Sequence, residues 1–209
     1  MITLGTVARI WRYPVKALAG EPLDGVEIDE RGLLGDRQRA LFVATPGEPR
    51  TGKPYRGKEH NRLHTVQTIE AAQRLGVERS LALEPRAVGP YFDAEPVSII
   101  LDHWIAEVER IAGTLLEPLR FRPNLFVRTM GDSVPAEAEL LGRTLTAGGV
   151  RLRVVSAIVR CVTPSYDVAT GEQQPLVQRA IVAGRDNIVG VYCRVESAGR
   201  VACGDALLG

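Results

Sequence analysis

The sequence predicts a mainly β (α+β) fold, a barrel or two barrel-like halves with a few short helices. Three observations carry that expectation. Short β-rich segments recur along the chain, 21 glycines and 13 prolines punctuate them, and few stretches repeat apolar residues at helical spacing. Strands of this length at this spacing belong to barrels and sandwiches.

The elements follow in order. TLGTVARIWRY, starting at Thr3, alternates as a half-buried strand does, and LDGVEI and RALFVAT follow after turn signals. TVQTIEAAQRLG carries Val66, Ile69 and Ala72 or Gln73 at helical spacing and is expected to stop at Gly76, the residue suited to a left-handed cap. DHWIAEVERIAG has Asp102 as N-cap, Ile105, Val108 and Ile111 on one stripe, and Gly113 as its stop. LRFRPNLFVRT reads as a strand and SVPAEAELLG as a third, short helix. RTLTAGGVRLRVVSA reads as a hairpin, because Gly148 and Gly149 supply the positive φ angles of its turn. DNIVGVYCRVES and RVACGDALL complete the strands. Pro and Gly accumulate in ALEPRAVGPYFDAEP, which sets a soft boundary between residues 1–90 and 91–209. The two parts are expected to form one compact unit.

Composition excludes several classes of function. A chain of 209 residues with 45% hydrophobic content can bury a sizeable core. Its 26 basic and 25 acidic residues leave a net charge of +1, so no global field gathers nucleic acid or an anionic membrane, and any anion site must be local. Apolar runs such as PVSIIL are too short to span a membrane, and the first residues lack a signal-peptide core, so a cytoplasmic protein is expected. Cys161, Cys193 and Cys203 cannot all pair within one chain and form no C-x-x-C, which argues against a disulfide scaffold or zinc knuckle. His60 and His64 stand four apart, as a metal pair on a helix would. The third ligand and the glutamate of H-E-x-x-H are missing, so a solvated loop or helix start is expected.

The chemistry concentrates elsewhere. Cys161 stands at the exit of an apolar strand, beside Arg160 and near the hydroxyls of Thr163 and Ser165, a setting that favours a thiolate and soft metal–sulfur chemistry. DVATGE behind it reads as a turn punctuated by Asp167 and Gly171. Cys193 and Cys203 sit inside strands and read as small apolar fillers. Lys16 follows an aromatic strand, Asp36 and Arg37 precede the next, and Arg120, Arg122 and Asn124 surround Pro123. Arginine forks match phosphate oxygens, lysine adds a point charge, and an asparagine amide reads a ring edge. This inventory suits a phosphorylated, ring-bearing ligand.

These stretches, YPVKALAG, GLLGDRQRALF, RFRPNLFV, RCVTPSYDVATGE and VYCRVESAGRVACGDAL, resemble the landmarks of MOSC-domain proteins, among them amidoxime-reducing molybdenum enzymes and the C-terminal domain of molybdenum cofactor sulfurase. The resemblance implies a β-barrel MOSC core over residues 91–209 preceded by a MOSC N-terminal-like β subdomain over 1–90. It implies the pterin-based molybdenum cofactor, with Cys161 as metal ligand and catalytic centre, and Lys16, Arg37, Arg122, Asn124, Arg160, Thr163 and Tyr192 holding the cofactor. It also attaches pyridoxal phosphate binding to the family at large. Family members commonly carry serine where this chain has Ala17, and the stretch between GDRQRALF and RFRPN, which helps wall the site, is short here. No fused ferredoxin-like cysteine cluster is present, so electrons would come from separate partners.

Three functions remain open at this level. The first is an oxidoreductase that removes oxygen from small N-hydroxylated substrates, fed by a redox partner of ferredoxin or flavin reductase type, with Asp36 orienting Arg37. The second is a sulfur carrier receiving a Cys161 persulfide from a cysteine desulfurase. The third is a module that binds or delivers the cofactor. The basic cluster separates the first and third from the second, because a carrier has less need of a phosphate cradle.

Overall fold

A computed structural model describes residues 2–131 and 134–209. The strands are β1 (Thr3–Arg12), β2 (Glu21–Leu23), β3 (Gly25–Asp29), β4 (Gly32–Leu33), β5 (Ala40–Val43), β6 (Leu83–Arg86), β7 (Val97–Leu101), β8 (Leu125–Thr129), β9 (Thr144–Ala147), β10 (Val150–Val159), β11 (Ile188–Ser197), β12 (Gly199–Ala202) and β13 (Ala206–Leu208). Four helices interrupt them: α1 (Ile69–Val77), α2 (Asp102–Ala112), α3 (Glu137–Leu140) and α4 (Pro175–Arg185).

Seven strands run in the order β13-β9-β10-β11-β7-β8-β1, and β13 pairs with β1 to close the barrel; β2 extends the sheet beyond β1. The β7–β8 pair is parallel and the other ladders are antiparallel. Closure leaves no free edge around the ring. Because β1 belongs to this ring, residues 91–209 alone do not close it. A small sheet of β12, β3 and β4 and the β5–β6 ribbon lie outside it. The apolar residues form two clusters. The larger fills and surrounds the barrel, with Val7, Ile10, Ile99, Leu101, Leu125, Leu152 and Val191 in it. The smaller gathers Val15, Leu18, Leu41, Tyr55, Leu63, Leu75 and Leu83 beneath α1 and the β5–β6 ribbon.

The β9–β10 hairpin forms as expected, but of its paired glycines only Gly148 takes a positive φ, +54°; Gly149 does not. Helix α2 ends at Gly113 in the left-handed region, φ +72°, also as expected. Its N-terminus differs: Leu101 is the N-cap, and Asp102 Oδ1 instead accepts from the Thr129 backbone and hydroxyl, pinning the helix to β8. Ile111 is largely turned out, and Trp104 joins Ile105 and Val108 on the buried face. Helix α1 runs through Gly76, which is not its left-handed stop. A Cβ there would meet Leu83 Cδ1 at 2.7 Å, so glycine is required by close packing against β6. Thr68 caps α1, accepting from Ala71 N–H.

Helix α4 was not anticipated. Pro175 at its first turn and the Val177, Ala180, Ile181 stripe form its signal. PVSIIL, which read only as an apolar run, supplies β7, buried at every residue because helix α2 covers what the barrel does not. Among the described residues no helix is long and apolar enough to cross a membrane.

Barrel closure rests on a close approach at Gly5, which faces Thr129 of β8 and Leu207 of β13. A Cβ at Gly5 would lie 2.2 Å from the Arg128 carbonyl oxygen, a backbone atom that cannot rotate away. Gly5→Ala is expected to lower unfolding free energy by about 1–3 kcal/mol, read as a lower urea midpoint.

Candidate functional site

One end of the barrel opens into a cleft of about 300 Å³, at the lower end of small-molecule sites. Residues from distant parts of the chain meet there. Lys16 follows β1, Arg37 lies in the turn before β5, Arg120 and Arg122 precede β8, Tyr192 is in β11, and Arg160, Cys161 and Thr163 follow β10. The convergence expected of Lys16, Arg37, Arg122, Arg160, Cys161, Thr163 and Tyr192 is therefore present.

The scaffold of this cleft is Tyr13, fully buried at the end of β1. Its N–H donates to Asp36 Oδ1 at 2.7 Å, and its hydroxyl donates to the Pro123 carbonyl at 2.9 Å. The Arg37 guanidinium carbon lies 4.7 Å from its ring centroid and that of Arg122 4.3 Å, both in cation–π range. Asp36 is fully buried and pairs with Arg37 Nη1, so it orients Arg37. Burial works against the charge of both arginines. Asp36 reverses that for Arg37, whose pKa is raised, whereas burial prevails at Arg122, whose pKa is lowered. Burial likewise pushes the Tyr13 hydroxyl well above its ordinary value, so the ring serves as a neutral plate.

Lys16 Nζ donates to Asp93 Oδ1 (2.5 Å) and to the Tyr91 (3.0 Å) and Phe92 (3.3 Å) carbonyls. Burial pushes the Asp93 carboxyl upward, but the Lys16 charge and hydrogen bond outweigh it and hold the pKa low. Ala17 follows at φ +70° and lines the cleft with a methyl group.

Cys161 is exposed, and its Sγ donates to Thr163 Oγ1 at 3.2 Å. The neighbouring Arg160 does not pair with it. Its Nε and Nη2 donate to the Val189 carbonyl and its Nη1 to that of Phe121, which ties β10 to β11 and to the 118–121 turn. Gly190, at φ +96°, leaves room for this: a Cβ would lie 3.0 Å from Arg160 Nη2. Burial pulls the Arg160 pKa down to about 10. Ser165 is also turned from the sulfur, its hydroxyl donating to the Val162 carbonyl. Tyr192 also lines the cleft, on the strand paired with β10, and its pKa is raised, mainly by burial.

Asn124 departs from expectation. Its side chain does not line the cleft but holds the backbone behind Arg37. Oδ1 accepts from Ser98 N–H (3.1 Å), Ser98 Oγ (3.0 Å) and Arg37 Nη1 (3.4 Å), and Nδ2 donates to the Trp11 carbonyl (3.3 Å). Its oxygen is spent on these three donors, and the side chain is buried away from the cleft, so it is not placed to read a ligand there. Cys203 is exposed and donates to the Leu23 carbonyl, so only Cys193 is an apolar filler.

The histidines depart too. His60 and His64 are both buried rather than solvated. His60 Nδ1 accepts from Arg62 N–H, while His64 lines the cleft and stacks on Tyr166, with centroids 5.5 Å apart. Burial first, and then the Arg122 and Arg120 charges, lower the His64 pKa to about 4. The segment carrying it supplies the outer wall with Arg56, Gly57 and Lys58, so the short middle stretch still encloses the site. Asp167 does more than mark a turn. Its Oδ1 takes Ala169 N–H, Thr170 N–H and the Thr170 hydroxyl, and its Oδ2 takes Arg120 Nη2 at 2.8 Å. The signal for His64 was the HNRLH spacing, which carries no information about burial.

Three comparisons bear on this architecture. The family model for the MOSC domain matches residues 91–208. The crystal structure of the YuaD protein from Bacillus subtilis is similar at TM-score 0.62 and 19% identity, over 99% of this chain and 94% of that one. A crystal structure of a hypothetical protein is similar at TM-score 0.50 and 13% identity, over 98% of this chain and 68% of that one. Both likenesses concern the fold alone. No curated protein matches the chain.

The depressed His64 pKa links stability to pH. The unfolded chain takes up this proton near 6.5 and the folded chain only near 4, so unfolding binds a proton between those values. Stability is therefore expected to fall as pH drops from 6.5 toward 4, by at most ~3 kcal/mol from this residue. Urea melts across this range are expected to show a shallower decline for His64→Gln than for the wild type.

Proposed function

The chain belongs to the MOSC-domain family, and on that premise we propose that its cleft binds a molybdenum cofactor and reduces small N-hydroxylated molecules, with Cys161 as the metal ligand. The observation that carries this reading is the pairing of an exposed sulfur with cations whose hydrogen-bonding capacity is unspent. Arg122 Nη2 is buried without a partner, and Arg122 forms no ion pair among the described residues. Unfilled donors of this kind call for an anionic acceptor. The donor set also fits: a soft sulfur for a soft metal, and buried guanidiniums for a phosphate.

Each residue has a role in this reading. Cys161 supplies the ligand, and the Thr163 hydroxyl orients its sulfur. Arg122, Lys16 and Arg37 hold the anionic part of the cofactor, with Asp36 and Tyr13 fixing the arginines. Arg160 acts indirectly, by fixing the backbone at the strand exit from which Cys161 projects. Tyr192 lines the cavity beside them. The bound cofactor supplies two-electron removal of oxygen from an N–O bond; the protein contributes orientation and access. Electrons come from a separate redox protein of ferredoxin or flavin reductase type. Pyridoxal phosphate receives no support from Lys16, whose amine is held by three acceptors and is not free as a nucleophile.

An exposed sulfur equally suits a persulfide carrier charged by a cysteine desulfurase, and a cradle without turnover suits cofactor delivery. The unspent donors favour a resident ligand over the carrier. Protein from a molybdenum-replete host is expected to hold close to one molybdenum per chain by elemental analysis and to reduce an amidoxime with a chemical donor. Cys161→Ser is expected to lose both. Wild-type levels of both in the variant would overturn the assignment, and a +32 Da adduct on Cys161 without molybdopterin would establish the carrier.

A further inference from the structure

The cations of the cleft fall into two groups. Lys16 and Arg37 are anchored on the side of Asp93 and Asp36, each paired with one carboxylate. Arg120 and His64 lie against the turn that follows Cys161, through Asp167 and Tyr166. Arg122 links the two, sharing the Tyr13 ring with Arg37 while its charge acts on His64.

The second group is unsatisfied. Arg120 is 6% exposed and His64 8%, both line the cleft, and four of their nitrogens have no hydrogen-bond partner: Arg120 Nε and Nη1, and His64 Nδ1 and Nε2. Asp167 cannot supply the missing acceptors. It binds Arg120 through Nη2 alone, and its other oxygen is taken by its own turn. Three of the four nitrogens are donors, since the neutral imidazole carries one N–H and one acceptor nitrogen. Leaving buried polar groups unpaired is costly, and native proteins rarely do so without a ligand or function.

We propose that Arg120 and His64 form an oxyanion subsite for a carboxylate or phosphate carried by the substrate, so that the preferred substrates are small N-hydroxylated molecules with an anionic group. This rests on the reading of the cleft as the site of N-hydroxylated substrates. The imidazole suits the task because, while neutral, it adds a donor between two guanidiniums without adding a third positive charge. Arg120 Nε and Nη1 lie on different edges of the guanidinium, so each offers a separate charge-assisted N–H to an oxyanion. An uncharged substrate leaves both unpaired. The other source of an oxyanion is the phosphate of the cofactor itself, which the Lys16–Arg37 side accommodates.

Benzamidoxime and 4-carboxybenzamidoxime differ by one carboxylate, and calorimetric titration of each into the protein, with and without cofactor, tests the subsite apart from turnover. The carboxylated probe is expected to bind on the order of 10-fold or more tightly, the scale of one charge-assisted contact. This preference is expected to persist in cofactor-loaded protein and to collapse toward unity in His64→Gln and Arg120→Lys. Should Arg120→Lys fail to fold for want of its Asp167 pair, His64→Gln decides alone. Equal binding of the two probes by the wild type overturns the proposal. So does a preference that survives in the folded variants, that vanishes on cofactor loading, or that Lys16→Gln removes while His64→Gln does not. An intact preference without reduction of either probe would sink the reductase reading and leave the subsite standing.

Discussion

The site depends on holding two buried guanidiniums against one tyrosine ring. Arg37 and Arg122 both lie over Tyr13, and each pulls its pKa down through its positive charge, against the larger upward push of burial. Two like charges out of water repel, and a cation–π contact returns only about 0.5–2 kcal/mol, too little to hold both. The buried Asp36 carboxylate decides the balance by neutralising one of the pair while fixing the Tyr13 backbone. The opposite pKa directions record the asymmetry: Arg37 is stabilised as a cation and Arg122 is left short of compensation. Arg122 is thus the charge that the proposed cofactor would complete. The same hub joins three segments, since Tyr13 ends β1, Asp36 belongs to the turn before β5, and Pro123 precedes β8.

The backbone stores strain at the same place. Ala17, Arg37 and Arg122 take positive φ values of 70°, 48° and 53°, and all three line the cleft. Each such position costs about 1–2 kcal/mol for a residue with a side chain. These conformations persist because neighbouring hydrogen bonds over-determine them: Arg37 N–H donates to the Tyr13 carbonyl, Lys16 N–H to that of Arg39, and Arg122 N–H to that of Leu119. The closed barrel supplies the rigidity, delivering the ends of β1, β8 and β10 to one rim. A sheet with free edges would let those turns relax.

Much of this was legible in the residues. Alternation and turn chemistry gave the β-rich barrel, the paired glycines gave the β9–β10 hairpin, and the local company of Lys16, Arg37, Arg122 and Cys161 marked them as a group. What was not legible depended on partners distant in sequence. Asn124 looked like a ligand reader because its amide is versatile, but its partners Ser98 and Trp11 come from other strands. Gly76 looked like a cap because caps are local, whereas its cause is Leu83 on β6. His64 looked solvated because a loop with charged neighbours usually is, and its burial follows from stacking on Tyr166, about a hundred residues away. Arg160 seemed to serve the adjacent sulfur, yet buried backbone carbonyls claim it.

The smaller apolar cluster gains its meaning from these misses. Leu63 belongs to it, and Leu63 stands next to His64, so packing beneath α1 sets the position of the imidazole in the wall. On the opposite side, Asn61 Nδ2 donates to the Gly171 carbonyl at 2.7 Å, fastening the same segment to the turn that orients Arg120 through Asp167. At Gly171, φ is +74° and a Cβ would lie 2.8 Å from the Asn61 carbonyl oxygen, so only glycine permits the approach. The segment between Arg56 and Thr65 is therefore built as a strap, with one end held by a small core and its middle by a single glycine contact. Such a core, with fewer apolar residues than the barrel, belongs to the low-stability end of a fold, where binding walls are drawn from. The barrel positions the sulfur and the arginines, and this smaller cluster positions the His64 wall of the same cleft.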